Sequence, residues 1–137
     1  MKVILDRQDD NYHFIAKNED GNSISLDGSP DIGGGNKGVR PMQLLLMGIG
    51  GCSGIDVILI LKKQKQVIEG LTIEVEGNKE KVEGYSLFKK IDLNFIFKGK
   101  LDDAKVKRAI ELSLEKYCSV AKTLEKTAEI KYTYTIN

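Results

Sequence analysis

The sequence predicts one domain that mixes short strands with helices around a single long apolar helix. Three observations carry this. Apolar and polar residues alternate in the middle of the chain and at its end, as in Leu71, Ile73 and Val75 against Thr72, Glu74 and Glu76, and Ile130, Tyr132, Tyr134 and Ile136 against Lys131, Thr133 and Thr135. From Met42 to Gln66 no proline interrupts an almost continuous apolar run, and Pro41 ahead of it suits the first turn of a helix, where its missing N–H costs nothing. Between the later strand-like runs, Val106, Ile110, Ser113 or Leu114, and Tyr117 recur at helical spacing, with Lys105, Lys107, Arg108, Glu111 and Glu115 turned outward. At 137 residues the chain is one domain's worth, 1–137.

The central helix sets the rest. Leu44, Leu45, Leu46, Met47, Ile49, Ile55, Val57, Ile58, Ile60 and Leu61 occupy nearly every face, so it is expected to be covered on all sides, with help from a second subunit. Gly48, Gly50, Gly51 and Gly54 surround Cys52 although each costs about 1 kcal/mol against alanine inside a helix. Such a cost implies close approach by a helix, a strand or a ligand. A membrane span from Leu44 to Leu61 is disfavoured, because Asp56 near its middle costs about 2.5–3.5 kcal/mol on insertion scales.

Lys+Arg 21 against Asp+Glu 20 gives a net charge of +1, with the signs interspersed, so neither nucleic acid nor an anionic membrane is an expected partner. Met1 to Arg7 lack the apolar segment and small-residue cleavage site of a secretory signal, and the chain is expected to be cytoplasmic. Two cysteines in a reducing compartment are either buried small side chains or redox groups. A metal site is not expected, because Cys52, Cys118 and the lone His13 are far apart in sequence and lack paired-ligand spacing. His13, between Tyr12 and Phe14, reads as a surface or packing residue.

In chain order, Lys2 to Arg7 and Asn11 to Lys17 read as strands joined at Gln8-Asp9-Asp10, and Asn18 to Asn22 as a second turn. Ser23 to Asp27 reads as a short third strand, so the chain opens as a meander. Gly28 to Gly38 is loop-like, and its Gly33, Gly35 and Gly38 match G-x-G-x-x-G. No strand ends directly at Gly33, so a flexible entry loop is favoured over dinucleotide binding. After the long helix, Glu69-Gly70 breaks the pattern; a strand then ends at Gly77-Asn78 and pairs through a loop around Gly84 with a second strand over Ile91, Leu93, Phe95 and Phe97. Asp102 is the expected N-cap of the amphipathic helix, Val120 to Lys126 a shorter helix, and the chain closes on a strand.

This order of elements resembles the OsmC/Ohr family of osmotically inducible and organic hydroperoxide resistance proteins. The residues that carry the resemblance are Pro41-Met42-Gln43-Leu44-Leu45-Leu46, Gly51-Cys52-Ser53 and Lys116-Tyr117-Cys118-Ser119-Val120, in wording most similar to the short OsmC-like branch. The resemblance implies an α+β fold, antiparallel sheets wrapped around the buried central helix, and an intertwined homodimer. It also implies reduction of organic hydroperoxides or hydrogen peroxide by a reactive cysteine, matched by Cys52, and a resolving cysteine, matched by Cys118. No metal or organic cofactor is implied, and a dithiol such as a lipoylated protein is the implied reductant. Gln43, Met47 and Gly51 are the candidate lining of a substrate pocket.

Peroxide reduction needs a thiolate to attack the O–O bond and a second thiol to condense the sulfenic acid to a disulfide. Burial in an apolar helix raises a thiol's pKa, so Cys52 requires a cationic neighbour. Here the chain departs from the family pattern. The early turn Lys17-Asn18-Glu19-Asp20-Gly21 has no arginine, and Met42 stands where the family has a glutamate ten residues before the reactive cysteine. Arg40, beside the helix start, is the candidate substitute, with a solvated loop role as its alternative. Asp56, one turn after Cys52 on the same face, opposes thiolate formation. If Ser119 opens a helix, its amides favour a thiolate at Cys118. The sequence therefore supports a thiol-dependent peroxidase, with a non-catalytic small-ligand-binding or redox-sensing protein as the alternative and a nucleotide-dependent oxidoreductase as a distant third.

Overall fold

The structure is a computed structural model and describes all residues, Met1–Asn137. The chain divides into two compact units, Met1–Leu45 and Leu46–Asn137.

The first unit opens with β1 (Val3–Arg7), β2 (Phe14–Asn18) and β3 (Ser23–Leu26), an antiparallel meander in that spatial order. β2 begins three residues later than the alternation predicts. Asp9 Oδ1 accepts from the amides of Asn11 (2.9 Å) and His13 (3.3 Å), and this side-chain turn removes Asn11 to His13 from the ladder. Asn18 Oδ1 organises the second turn in the same way, accepting from Asp20 and Asn22, and Gly21 takes its positive φ.

The glycine-rich loop is folded on itself. Asp27, only 2% exposed, accepts from the amides of Gly28 (2.7 Å) and Lys37 (2.9 Å), and the latter bond is the chief cause of a carboxyl pKa below its ordinary value. Val39 pairs with Leu26. A Cβ on Gly34 would meet the Gly28 carbonyl, and one on Gly38 the backbone of Ser25. Gly34 and Gly38 admit the loop's own backbone, and Gly33 takes the left-handed conformation (φ 96°) that closes a short 3-10 turn, so two of the three G-x-G-x-x-G glycines, Gly33 and Gly38, serve the loop itself.

α1 (Pro41–Lys63) starts at Pro41 as predicted, capped by Gln43 Oε1, which accepts from the Arg40 amide at 2.9 Å. It ends three residues short of Gln66 because Lys65 turns left-handed (φ 57°) and the Gln66 amide folds back to Leu61 O. It is long and apolar enough to cross a membrane, with mean hydropathy 2.2. Two of its glycines lie close against neighbouring side chains: a Cβ on Gly50 would lie 3.0 Å from Val75 Cγ2, and one on Gly54 2.7 Å from Ile73 Cδ1. The close approach expected from the glycines is therefore made by a strand. One chain covers only one face, through Ile49, Ser53, Val57 and Leu61; Met47, Ile55, Ile58 and Leu59 remain exposed, Ile55 at 69%.

The second unit contains β4 (Gly70–Val82) and β5 (Tyr85–Lys98), a hairpin longer than predicted. Gly77 does not end β4. It lies within the strand under the Phe88 ring, where a Cβ would be 2.6 Å from Phe88 Cε1, and a bulge follows between Asn78 and Lys79. Ile91, Leu93, Phe95 and Phe97 of β5 are buried. α2 (Asp103–Leu112) starts at its predicted cap, Asp102 accepting from the Lys105 amide at 2.9 Å, and buries Val106, Ala109 and Ile110. A π-helical turn, Ser113–Tyr117, and α3 (Ser119–Leu124) lead to β6 (Glu129–Ile136). β6 pairs with β5 in parallel, giving the order β4-β5-β6 in a sheet that is otherwise antiparallel. The intervening helices carry the chain back along the sheet, the crossover connection that a parallel neighbour requires.

Candidate active site

Cys52 on α1 and Cys118, the N-cap of α3, are both free thiols, Cys52 half-buried and Cys118 fully buried. Their sulfurs and a carboxylate oxygen of Asp56 all lie within 4.8 Å of one another. The two residues from α1 are one helical turn apart and share a face, as their spacing predicts. The third arrives through the π-helical turn, which is closed by a bond from the Cys118 amide to Ser113 O at 2.7 Å. This wide turn delivers two side chains to α1. Cys118 brings its sulfur, and the buried Ser113 donates its hydroxyl to Asp56 Oδ2 at 3.0 Å.

Cys118 Sγ accepts from the Ala121 amide at 3.3 Å, so the predicted helix terminus does act on it. That bond does not prevail. Burial, first, and then the hydrogen bond and charge of Cys52 and the charge of Asp56, push the Cys118 thiol up to about 11 from an ordinary 9.0. The expectation of a thiolate at Cys118 is thereby corrected: desolvation of a fully buried sulfur outweighs one amide. None of the groups that act on it is a cation.

Arg40 lies in the first unit, where its guanidinium donates to Gly38 O and Asn36 Oδ1, both at 2.9 Å. Gln43 is the helix cap, Met47 is exposed, and Gly51 has open space where a Cβ would stand. Ser53 is buried and donates to Ile49 O at 2.7 Å, a helix-internal bond. Ser113 was not singled out as a site residue by sequence reasoning; its signal was a serine on the buried stripe of an amphipathic helix. Two thiols and a carboxylate are also a possible metal donor set, although the distance between the cysteines in sequence argued against one.

An α+β chain with a long glycine-bearing helix that presents a cysteine to a second cysteine at a helix N-terminus defines a class of small thiol proteins. The chain belongs to the OsmC family: the model of the OsmC-like protein matches residues 34–133. Protein YhfA of Escherichia coli strain K12 is 40% identical over 124 residues, 90% of this chain and 89% of that protein. A hypothetical protein from Aquifex aeolicus VF5 is 30% identical with a TM-score of 0.81, over 99% of this chain and 96% of its own. The organic hydroperoxide resistance protein OhrB of Bacillus subtilis, 21% identical, shares the fold with a TM-score of 0.70, over 98% and 96% of the two chains.

Proposed function

We propose that the protein is a cysteine-based peroxidase that reduces organic hydroperoxides or hydrogen peroxide. The observation that carries this reading is the approach of the Cys52 and Cys118 sulfurs to within 4.8 Å. The name of the Bacillus subtilis relative, an organic hydroperoxide resistance protein, supports it. Cys52 is the more accessible sulfur and attacks the O–O bond as a thiolate; it becomes a sulfenic acid, and the leaving alkoxide takes up a proton as the alcohol. Cys118, sheltered and protonated, then displaces the hydroxyl from Cys52. A disulfide forms, and water leaves with the Cys118 proton. An external dithiol, such as a lipoylated protein, restores both thiols by exchange.

Two chains complete the fold in this reading, because Met47, Ile55, Ile58 and Leu59 form an apolar face that a homodimer buries. The cytoplasm supplies the reducing conditions. Arg40 is the candidate cation, with Gln43, Met47 and Gly51 at the substrate pocket. One equivalent of cumene hydroperoxide should remove both free thiols and leave a Cys52–Cys118 disulfide by intact mass. Cys52→Ser should abolish peroxide consumption, and Arg40→Ala should lower it at least tenfold. Unchanged thiols after peroxide would end the proposal.

A second reading rests on the Asp56 carboxylate beside the two sulfurs, a charge of the wrong sign for a peroxidatic thiolate. On that basis the protein is a redox sensor or small-ligand binder. Slow oxidation together with a retained small molecule in native mass spectrometry would favour it over the peroxidase.

A further inference from the structure

We propose that Cys52, Asp56 and Cys118 form a three-ligand site for a thiophilic divalent cation, zinc foremost, in the reduced protein. This does not rest on the peroxidase reading. It rests on the donor set: two sulfurs and a carboxylate oxygen, all within 4.8 Å of one another. Zinc binds thiolate at about 2.3 Å and carboxylate at about 2.0–2.2 Å, so tetrahedral ligand atoms sit about 3.6–3.8 Å apart. About 1 Å of closure from the outer limit seen here suffices, within the reach of side-chain rotation at the half-buried Cys52 and Asp56.

The supports for such a site are present. Cys52 and Asp56 stand four residues apart on one helix face, the spacing by which metal-binding helices offer two ligands to one ion. Cys118 comes from another element and closes the set. Ser113 donates to Asp56 Oδ2 at 3.0 Å, a bond from outside the ligand set that orients the carboxylate. Three protein ligands leave a fourth position open, the pattern of an exchangeable or reactive ion rather than a closed structural one.

Charge points the same way. Two thiolates and a carboxylate carry three negative charges, and no cationic side chain pairs with Asp56 or hydrogen-bonds to either sulfur. Asp56, misplaced beside a peroxidatic thiolate, is well placed beside a dication. Binding would release the two thiol protons, with no change of oxidation state. A Cys52–Cys118 disulfide leaves no thiolate to donate, so metal and disulfide exclude each other.

The test is a cobalt(II) titration of the reduced full chain under argon. One equivalent should give a thiolate-to-cobalt charge-transfer band and the intense visible bands of tetrahedral cobalt, both bleached by zinc. Protein alkylated with N-ethylmaleimide should give neither. Asp56→Ala, with both sulfurs kept, should weaken cobalt binding at least tenfold. Only the pale spectrum of hexaaqua cobalt with the wild type, or equal affinity in a folded Asp56→Ala, would overturn the site. Cobalt bands in a protein whose thiols survive peroxide would uphold the site and remove the peroxidase; a peroxide-formed disulfide without cobalt bands would do the reverse.

Discussion

Ser113→Ala isolates the contact that holds the site carboxylate. The substitution removes one hydroxyl, whose bond to Asp56 Oδ2 is 3.0 Å long, and leaves both sulfurs and the whole backbone in place. A hydrogen bond to a charged group is worth about 1.5–3 kcal/mol. Asp56 is half-buried, so water can replace part of what is lost, and a cost of about 1–2 kcal/mol is expected. For a chain of 137 residues each kcal/mol moves Tm by about 3–5 °C, so the variant should melt about 3–10 °C below the wild type. Circular-dichroism melts at neutral pH would measure this, at fixed protein concentration because an oligomer's Tm depends on it. A double-mutant cycle with Asp56→Asn would then assign the loss to the pair, with a coupling of at least about 0.5 kcal/mol. A variant that melts with the wild type, or a cycle with no coupling, would refute the claim that Ser113 fixes the carboxylate.

Three further outcomes follow from the packing and the charges. The Asp27 carboxyl is held below its ordinary 3.8, so its contribution to stability is full above that pH and is lost as pH falls through the lower folded value. Melts between pH 5 and pH 2 should therefore decline more steeply in the wild type than in Asp27→Asn; parallel curves would remove the carboxylate from the loop's architecture. Gly54→Leu places a side chain where even a Cβ stands 2.7 Å from Ile73 Cδ1, and a loss of about 3 kcal/mol in urea unfolding is expected, with wild-type stability contradicting the close helix–strand contact. Ile55→Glu puts a charge in the middle of the exposed apolar face of α1 and should convert the proposed dimer to monomer by light scattering; an unchanged mass would free that face from the interface.

Those features governed by local physics were legible in the sequence. Pro41 starts its helix and Asp102 caps the next, because each requirement is met within one turn of chain. The glycines of α1 announced a close approach and Gly50 and Gly54 make it, although a glycine cannot say what approaches. Gly77 misled for the same reason: absence of a side chain serves a turn and a ring's resting place equally, and the Phe88 ring that occupies the space comes from the next strand. The direction of β6 was hidden because alternation reports which face is buried, not which way the neighbouring strand runs.

The cysteines show where local reasoning stops. That Cys118 caps a helix follows from its neighbours, and so does an amide aimed at its sulfur. Its protonation does not follow, because the opposing influences come from burial and from Cys52 and Asp56, far away in sequence on α1. Only the resemblance brought the two sulfurs together; spacing alone gave sixty-six intervening steps and an argument against any shared ligand. Helical spacing had already set the Asp56 carboxylate beside Cys52, and the structure brings it against Cys118 as well. A peroxidatic thiolate calls for a positive neighbour, and this chain offers an aspartate, steadied by a serine from the same turn that delivers Cys118. A cation that neutralised this cluster would turn an electrostatic obstacle into a ligand set.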